Sequence, residues 1–112
     1  MSRDYKIYLN DILNSIGRIE DYTKGISPED LQEDPMREDA IIRNLSTIGE
    51  AVKNIPKEIR LRIPWVEWDD ISGLRDILVH QYFELDIKTI WGIIKEDLPK
   101  LKRAVKSLLK SP

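Results

Sequence analysis

The sequence predicts an all-α fold, an up-and-down bundle of four to five helices, and three observations predict it. Apolar residues recur at steps of three and four through three long stretches, the spacing that stripes one face of an amphipathic helix. The period-two alternation of a half-buried strand is absent throughout. Side-chain caps followed directly by proline stand where two of the helices should begin, at Ser27-Pro28 and Asp34-Pro35, and such pairs start helices rather than strands.

Taken in order, Ser2 can cap a first helix that runs to about Lys24, with Gly25 as its C′ stop. Tyr5, Tyr8, Leu9, Ile12, Ile16, Ile19 and Tyr22 share one face of it, and the tyrosines read as core and rim packing. Ser27-Pro28-Glu29-Asp30 opens a short helix to about Glu33, and Asp34-Pro35 restarts the chain. The acids from Glu29 to Asp39 crowd these helix starts for reasons of the macrodipole, and they do not suggest a metal site.

A second long helix is expected from Pro35 to Asn54, with Ile41, Leu45, Ile48, Val52 and Ile55 as a seam. Gly49 lies inside it, where glycine costs about 1 kcal/mol relative to alanine, so it marks a close helix crossing. Arg43, Glu50 and Lys53 occupy its polar positions. They read first as salt-bridged surface, with a secondary phosphate contact as the alternative. Pro56 and Pro64 frame a basic connector that holds one short helix or turn. Trp65, Trp68, Ile71, Leu74 and Leu78 form a helical series in which both tryptophans are expected to pack in the core, and Gly73 suggests a close approach by another backbone. Asp86 caps the last helix, whose face is Ile87, Ile90, Trp91, Ile94, Leu98, Leu101, Val105 and Leu108. Pro99 should kink or restart it at Leu98.

A chain of 112 residues is most simply one domain, residues 1–112. With 41% hydrophobic and 34% charged residues it reads as a globular protein rather than a disordered one. It has no cysteine, which excludes disulfides, thiolate catalysis and zinc–thiolate sites. No apolar run approaches a membrane span and no signal-peptide h-region is present, so a cytoplasmic location is expected. The net charge of −2 argues against a nonspecific polyanion binder, yet residues 95–112 carry six basic and two acidic side chains. That basic end suits a helix C-terminus, and a nucleic-acid contact is the other reading.

The chemistry gathers in Arg75-Asp76-Ile77-Leu78-Val79-His80-Gln81-Tyr82, which holds the only histidine. Arginine suits a phosphate and histidine a proton transfer near neutrality. Asp76 and His80 are four apart and share a helix face, which allows a carboxylate–imidazole hydrogen bond. Arg75 and His80 are five apart, about 140° around a regular helix, so one straight helix does not aim both at one phosphate. Either the helix ends or bends near His80, or a second copy completes the site across a two-fold axis. Metal-free RNA cleavage needs a base, an acid and a cation. With one histidine per chain, a two-histidine acid–base pair requires a dimer. A purely structural role for the three side chains, with His80 capping a helix end and Tyr82 packing, is the plain alternative.

The R-x4-H-x-Y spacing of Arg75, His80 and Tyr82 resembles the signature of the HEPN superfamily, and its HepT-like branch in particular. The likeness extends over Gly73 to Phe83, Asp86 and Trp91. Upstream it takes in Arg43-Asn44-Leu45, Ile48-Gly49-Glu50-Ala51 and Pro64-Trp65, and downstream Glu96 to Leu101. The resemblance implies a HEPN-type helical bundle that dimerises with its motifs at the interface. It implies the toxin of a toxin–antitoxin pair, a metal-independent endoribonuclease that takes RNA and needs no cofactor. Arg75 and His80 would be its catalytic residues and Asp76 a supporting one. Asparagine often stands at the position of Asp76 in similar proteins, and an aspartate there repels phosphate. Tyr82 matches the tyrosine that is AMPylated by the partner antitoxin, an MNT-type nucleotidyltransferase, with which the homodimer could form a higher hetero-oligomer. The competing reading is a noncatalytic helical partner of a nucleotidyltransferase, binding nucleotide or the transferase itself.

Overall fold

The structure is a computed structural model that describes residues 4–81 and 86–110, with side chains for all of these except 79–81. Ser2, expected to cap the first helix, lies outside the described residues. The cap of α1 (Tyr5–Thr23) is Asp4, whose carboxylate accepts from the Lys6 N–H at 2.9 Å. Lys24 ends the helix and Gly25 follows at φ 74°, the left-handed turn that glycine adopts without a Cβ penalty.

The short α2 (Pro28–Gln32) starts in a full capping box: Ser27 Oγ accepts from the Asp30 N–H, and the Asp30 carboxylate accepts from the Ser27 N–H. Asp34 caps α3 (Pro35–Lys53), accepting from the Arg37 N–H. Two of the clustered acids are thus spent on helix starts. Ile41, Leu45, Ile48 and Val52 of α3 are fully buried, and they pack against Leu9, Ile12, Ile16 and Ile19 of α1 in one core.

The connector holds α4 (Lys57–Arg60), and α5 (Trp68–Ser72) and α6 (Leu74–Gln81) follow with only Gly73 between them. Here one expectation fails. Trp68 is buried and its indole N–H donates to the Ile63 carbonyl at 2.9 Å, whereas Trp65 is 51% exposed. The helix begins only at Trp68, so Trp65 sits in the preceding turn and leaves the three-step series. Gly73 likewise receives no foreign backbone, since a Cβ there would meet only the Asp69 and Asp70 carbonyls at ordinary distance.

After Asp86, which accepts from the Thr89 N–H at 2.8 Å, the last helix runs as α7 (Ile87–Gly92), a π-helical turn (Ile93–Asp97) and α8 (Leu98–Lys110). Pro99 explains the wide turn. It has no N–H to give to the preceding turn and its ring crowds the carbonyl there; the π register, in which Leu98 N–H bonds to Ile93, absorbs the mismatch just before it. Leu98, Leu101, Ala104, Val105 and Leu108 bury one face of α8, and Lys102 on its outer side pairs with Glu20 of α1 at 2.9 Å. The described residues contain no strand, and the long runs α1, α3, α6 and α7–α8 make the fold all-α.

Candidate active site

The motif helix α6 is held against the C-terminal half of α3, and Gly49 is the reason it can come so close. A Cβ on Gly49 would lie 3.0 Å from the Arg75 backbone nitrogen and 3.0 Å from the Ile71 carbonyl oxygen, so close that the neighbouring backbone would have to give way. The close helix crossing expected at Gly49 is therefore real, and it brings the start of α6 onto Glu50 and Lys53.

Those two residues meet Arg75 and Asp76. Arg75 Nε lies 3.3 Å from Glu50 Oε2, and Arg75 Nη1 lies 3.5 Å from Asp76 Oδ1. Asp76 Oδ2 in turn accepts from Lys53 Nζ at 3.4 Å. Two adjacent residues of α6 thus pair with two residues one turn apart on α3, giving a chain of alternating charge, Glu50–Arg75–Asp76–Lys53. All four side chains remain partly in solvent, so each pair contributes about 0–1 kcal/mol to stability. The consequence is orientation: Arg75 has one guanidinium edge turned to Glu50, and the charge on Asp76 is compensated by a lysine within reach.

Leu74 and Leu78 bury the inner side of α6, and Ile77 is 39% exposed. Ile77 borders a cleft of about 380 Å3 whose walls include Ile71, Leu74, Ile93 and Leu98, with Glu67, Asp70 and Asp97 on its rim. Burial, with Glu96, Asp70 and Glu67 close by, raises the Asp97 carboxyl above the usual aspartate range. This flank of α6 is apolar and mainly acidic, with Lys100 its one base, and the Arg75 flank is charge-paired.

His80 lies on the last turn of α6, five residues beyond Arg75. Its side chain is outside the described residues, and Tyr82 lies outside them altogether. Leu74 to Gln81 form one continuous α-helix, and in a regular helix positions 75 and 80 stand about 140° apart. Both oxygens of Asp76 are engaged by Lys53 and Arg75, a partnership that i,i+4 spacing alone did not anticipate. Sequence reasoning placed Glu50 and Lys53 on a salt-bridged surface correctly but missed their partners. The signal was there in Gly49: the residue that admits a neighbouring backbone sits beside the one that touches its arginine.

Fold and site together define an all-α protein that presents an arginine-led helix, charge-paired to a longer one. The chain belongs to the HepT-like ribonuclease family, whose model, described as Ribonuclease HepT-like, matches residues 12–108. It is 41% identical over 110 residues to a Thermococcus cleftensis protein named "Probable ribonuclease HepT", covering 98% of this chain and 100% of that one. It is also 41% identical over 109 residues to a Methanocaldococcus jannaschii protein named "Gamma-glutamylcyclotransferase and putative RNase". That match takes in 97% of this chain but only 49% of the relative, so the chain spans about half of its length. No solved structure matches significantly. The family is one of ribonucleases, and the reaction class to account for is cleavage of RNA.

Proposed function

We propose that this chain, as a single domain of residues 1–112, is the toxin of a toxin–antitoxin pair and acts in the cytoplasm. It is a metal-independent endoribonuclease that works as a homodimer with Arg75 and His80 as catalytic residues. The observation that carries the reading is the Glu50–Arg75 pair at 3.3 Å, which presents a guanidinium at the surface of the helix that also carries His80.

In the proposed reaction a base takes the proton of a ribose 2′-hydroxyl and that oxygen attacks the adjacent phosphorus. The 5′-oxygen then leaves with a proton from an acid. Two copies of His80 serve as base and acid, and Arg75 stabilises the charge that develops on the phosphorane oxygens. Ile77 and His80 are three apart on α6 and so share a flank. That flank carries the exposed Ile77 and the apolar cleft, which supports a second copy covering it. Lys53 beside Asp76 supports a phosphate site too, because it offsets one of the two carboxylates near Arg75 that would repel RNA.

Switching off would fall to the MNT-type nucleotidyltransferase, in a hetero-oligomer with the toxin. The Tyr82 oxygen, losing its proton to solvent, attacks the α-phosphorus of ATP, pyrophosphate leaves, and the AMP ester adds a bulky anion two residues from His80 that repels RNA.

RNA incubated with the purified protein in EDTA should yield fragments ending in 2′,3′-cyclic phosphate and 5′-hydroxyl. Uncut RNA, or fragments with 3′-hydroxyl ends, contradicts the mechanism. Co-expression with the transferase should add one AMP mass to the wild type and none to Tyr82→Phe; a modified Tyr82→Phe protein rules out that assignment.

A further inference from the structure

We propose that Arg18 and Arg43 form a second phosphate-binding subsite, which lays the RNA strand along α3 toward Arg75. The inference rests on RNA being the substrate, and it assigns a role to residues outside the motif.

A cleft of about 530 Å3 opens between α1 and α3, and Arg18, Tyr22, Asp39, Arg43, Asn44 and Thr47 are among its lining residues. Both arginines are exposed. Arg37 and Arg75 each pair with a carboxylate at 3.3 Å. The Arg18 and Arg43 guanidinium groups have no ion-pair or hydrogen-bond partner among the described residues, Arg43 being engaged only through its carbonyl, which accepts from Thr47 Oγ1. Asp39 is the one acid in the lining, so the cleft carries an excess of fixed positive charge in a chain whose net charge is −2. Tyr22, one turn from Arg18, adds an aromatic surface of the kind on which bases stack.

Register ties this cleft to the motif. Arg43, Thr47 and Glu50 follow steps of four and three, one stripe of α3, and the stripe ends where Glu50 meets Arg75. Seven residues of helix span about 10 Å, comparable to the separation of phosphates one or two nucleotides apart on an extended strand. The cleft beside Ile77 is a poorer path for a strand, because Glu67, Asp69, Asp70 and Asp97 face Lys100 alone there and like charges repel.

The test compares the full-length wild type with Arg18→Gln and Arg43→Gln on two uncleavable ligands, a 2′-O-methyl RNA 12-mer and the corresponding dinucleotide. Each substitution should weaken 12-mer binding about 5-fold and lower the salt slope by about one, with dinucleotide binding unchanged. On cleavable RNA, KM should rise and kcat stay as it was. Unchanged 12-mer affinity, or equal losses on both ligands, overturns the subsite. A wild type that binds the 12-mer with this pattern but cleaves nothing removes the catalytic reading and leaves the subsite standing. A wild type that does not bind the 12-mer removes both.

Discussion

Glu50 Oε2 stands 3.3 Å from Arg75 Nε, a contact between helices that Gly49 allows to touch. The carboxylate restrains the Nε edge of the guanidinium, Asp76 Oδ1 lies 3.5 Å from Nη1, and Nη2 would meet a phosphate. It also places a negative charge near the anion that Arg75 would bind. Glu50→Ala should therefore split the kinetic constants. We expect kcat to fall about 10-fold as Arg75 loses its orientation, and KM to fall as an anion is removed. Thermal unfolding should move little, since an exposed pair contributes under about 1 kcal/mol. Unchanged kcat would show that Glu50 does not position Arg75.

Lys53 and Asp76, 3.4 Å apart, give a double-mutant cycle. Alone, Asp76→Asn should lower KM by removing an anion, and Lys53→Met should raise it about 3-fold by leaving that anion uncompensated. Combined, the two should return KM close to the wild-type value. If the double variant is as impaired as Lys53→Met, the lysine serves RNA directly and not through Asp76.

Gly49→Ala tests the crossing itself. The new Cβ meets backbone at 3.0 Å on two sides, so unfolding free energy should drop by about 1–3 kcal/mol and cleavage with it. Gly17→Ala in α1 is the control. Its Cβ meets nothing within 4 Å, and a helix interior should gain about 0.5–1 kcal/mol. Denaturant melts of the two variants shifting in the same direction would contradict the packing described.

The pH dependence of stability has opposing contributions. Asp86 is held below the usual aspartate range, first by the Thr89 backbone N–H, and Asp30 by the Ser27 backbone N–H. A lowered carboxyl stabilises the fold above its unfolded pKa, and that contribution is lost as pH falls through its folded value. Asp97 is raised, chiefly by burial, so it favours the fold when protonated and penalises it as pH rises from the unfolded value through the folded one. Asp97→Asn should raise Tm at pH 7 by no more than about 4 °C and leave it unchanged near pH 3, checked by calorimetry across that range. Asp86→Asn should keep its cap and flatten the acid limb.

Much of this architecture was legible in the residues. Ser27, Asp34 and Asp86 marked helix starts because their side-chain chemistry is local, and Pro99 marked the restart at Leu98 because its missing N–H acts on its own turn. Gly49 announced the crossing. Trp65 misled because its spacing fitted a helix that begins three residues later, and periodicity does not locate a first turn. Gly73 misled because glycine between two helices can serve the chain's own turn. The Glu50–Arg75 and Lys53–Asp76 pairs were illegible because their partners are 25 and 23 residues apart, and only the packing of α3 on α6 joins them.

The most direct test of the central claim is RNA cleavage in EDTA by three purified proteins, the wild type, Arg75→Ala and His80→Ala. The wild type should cut, and each variant should lose at least about 100-fold in rate. Equal cleavage by all three, or none by any, would contradict that claim.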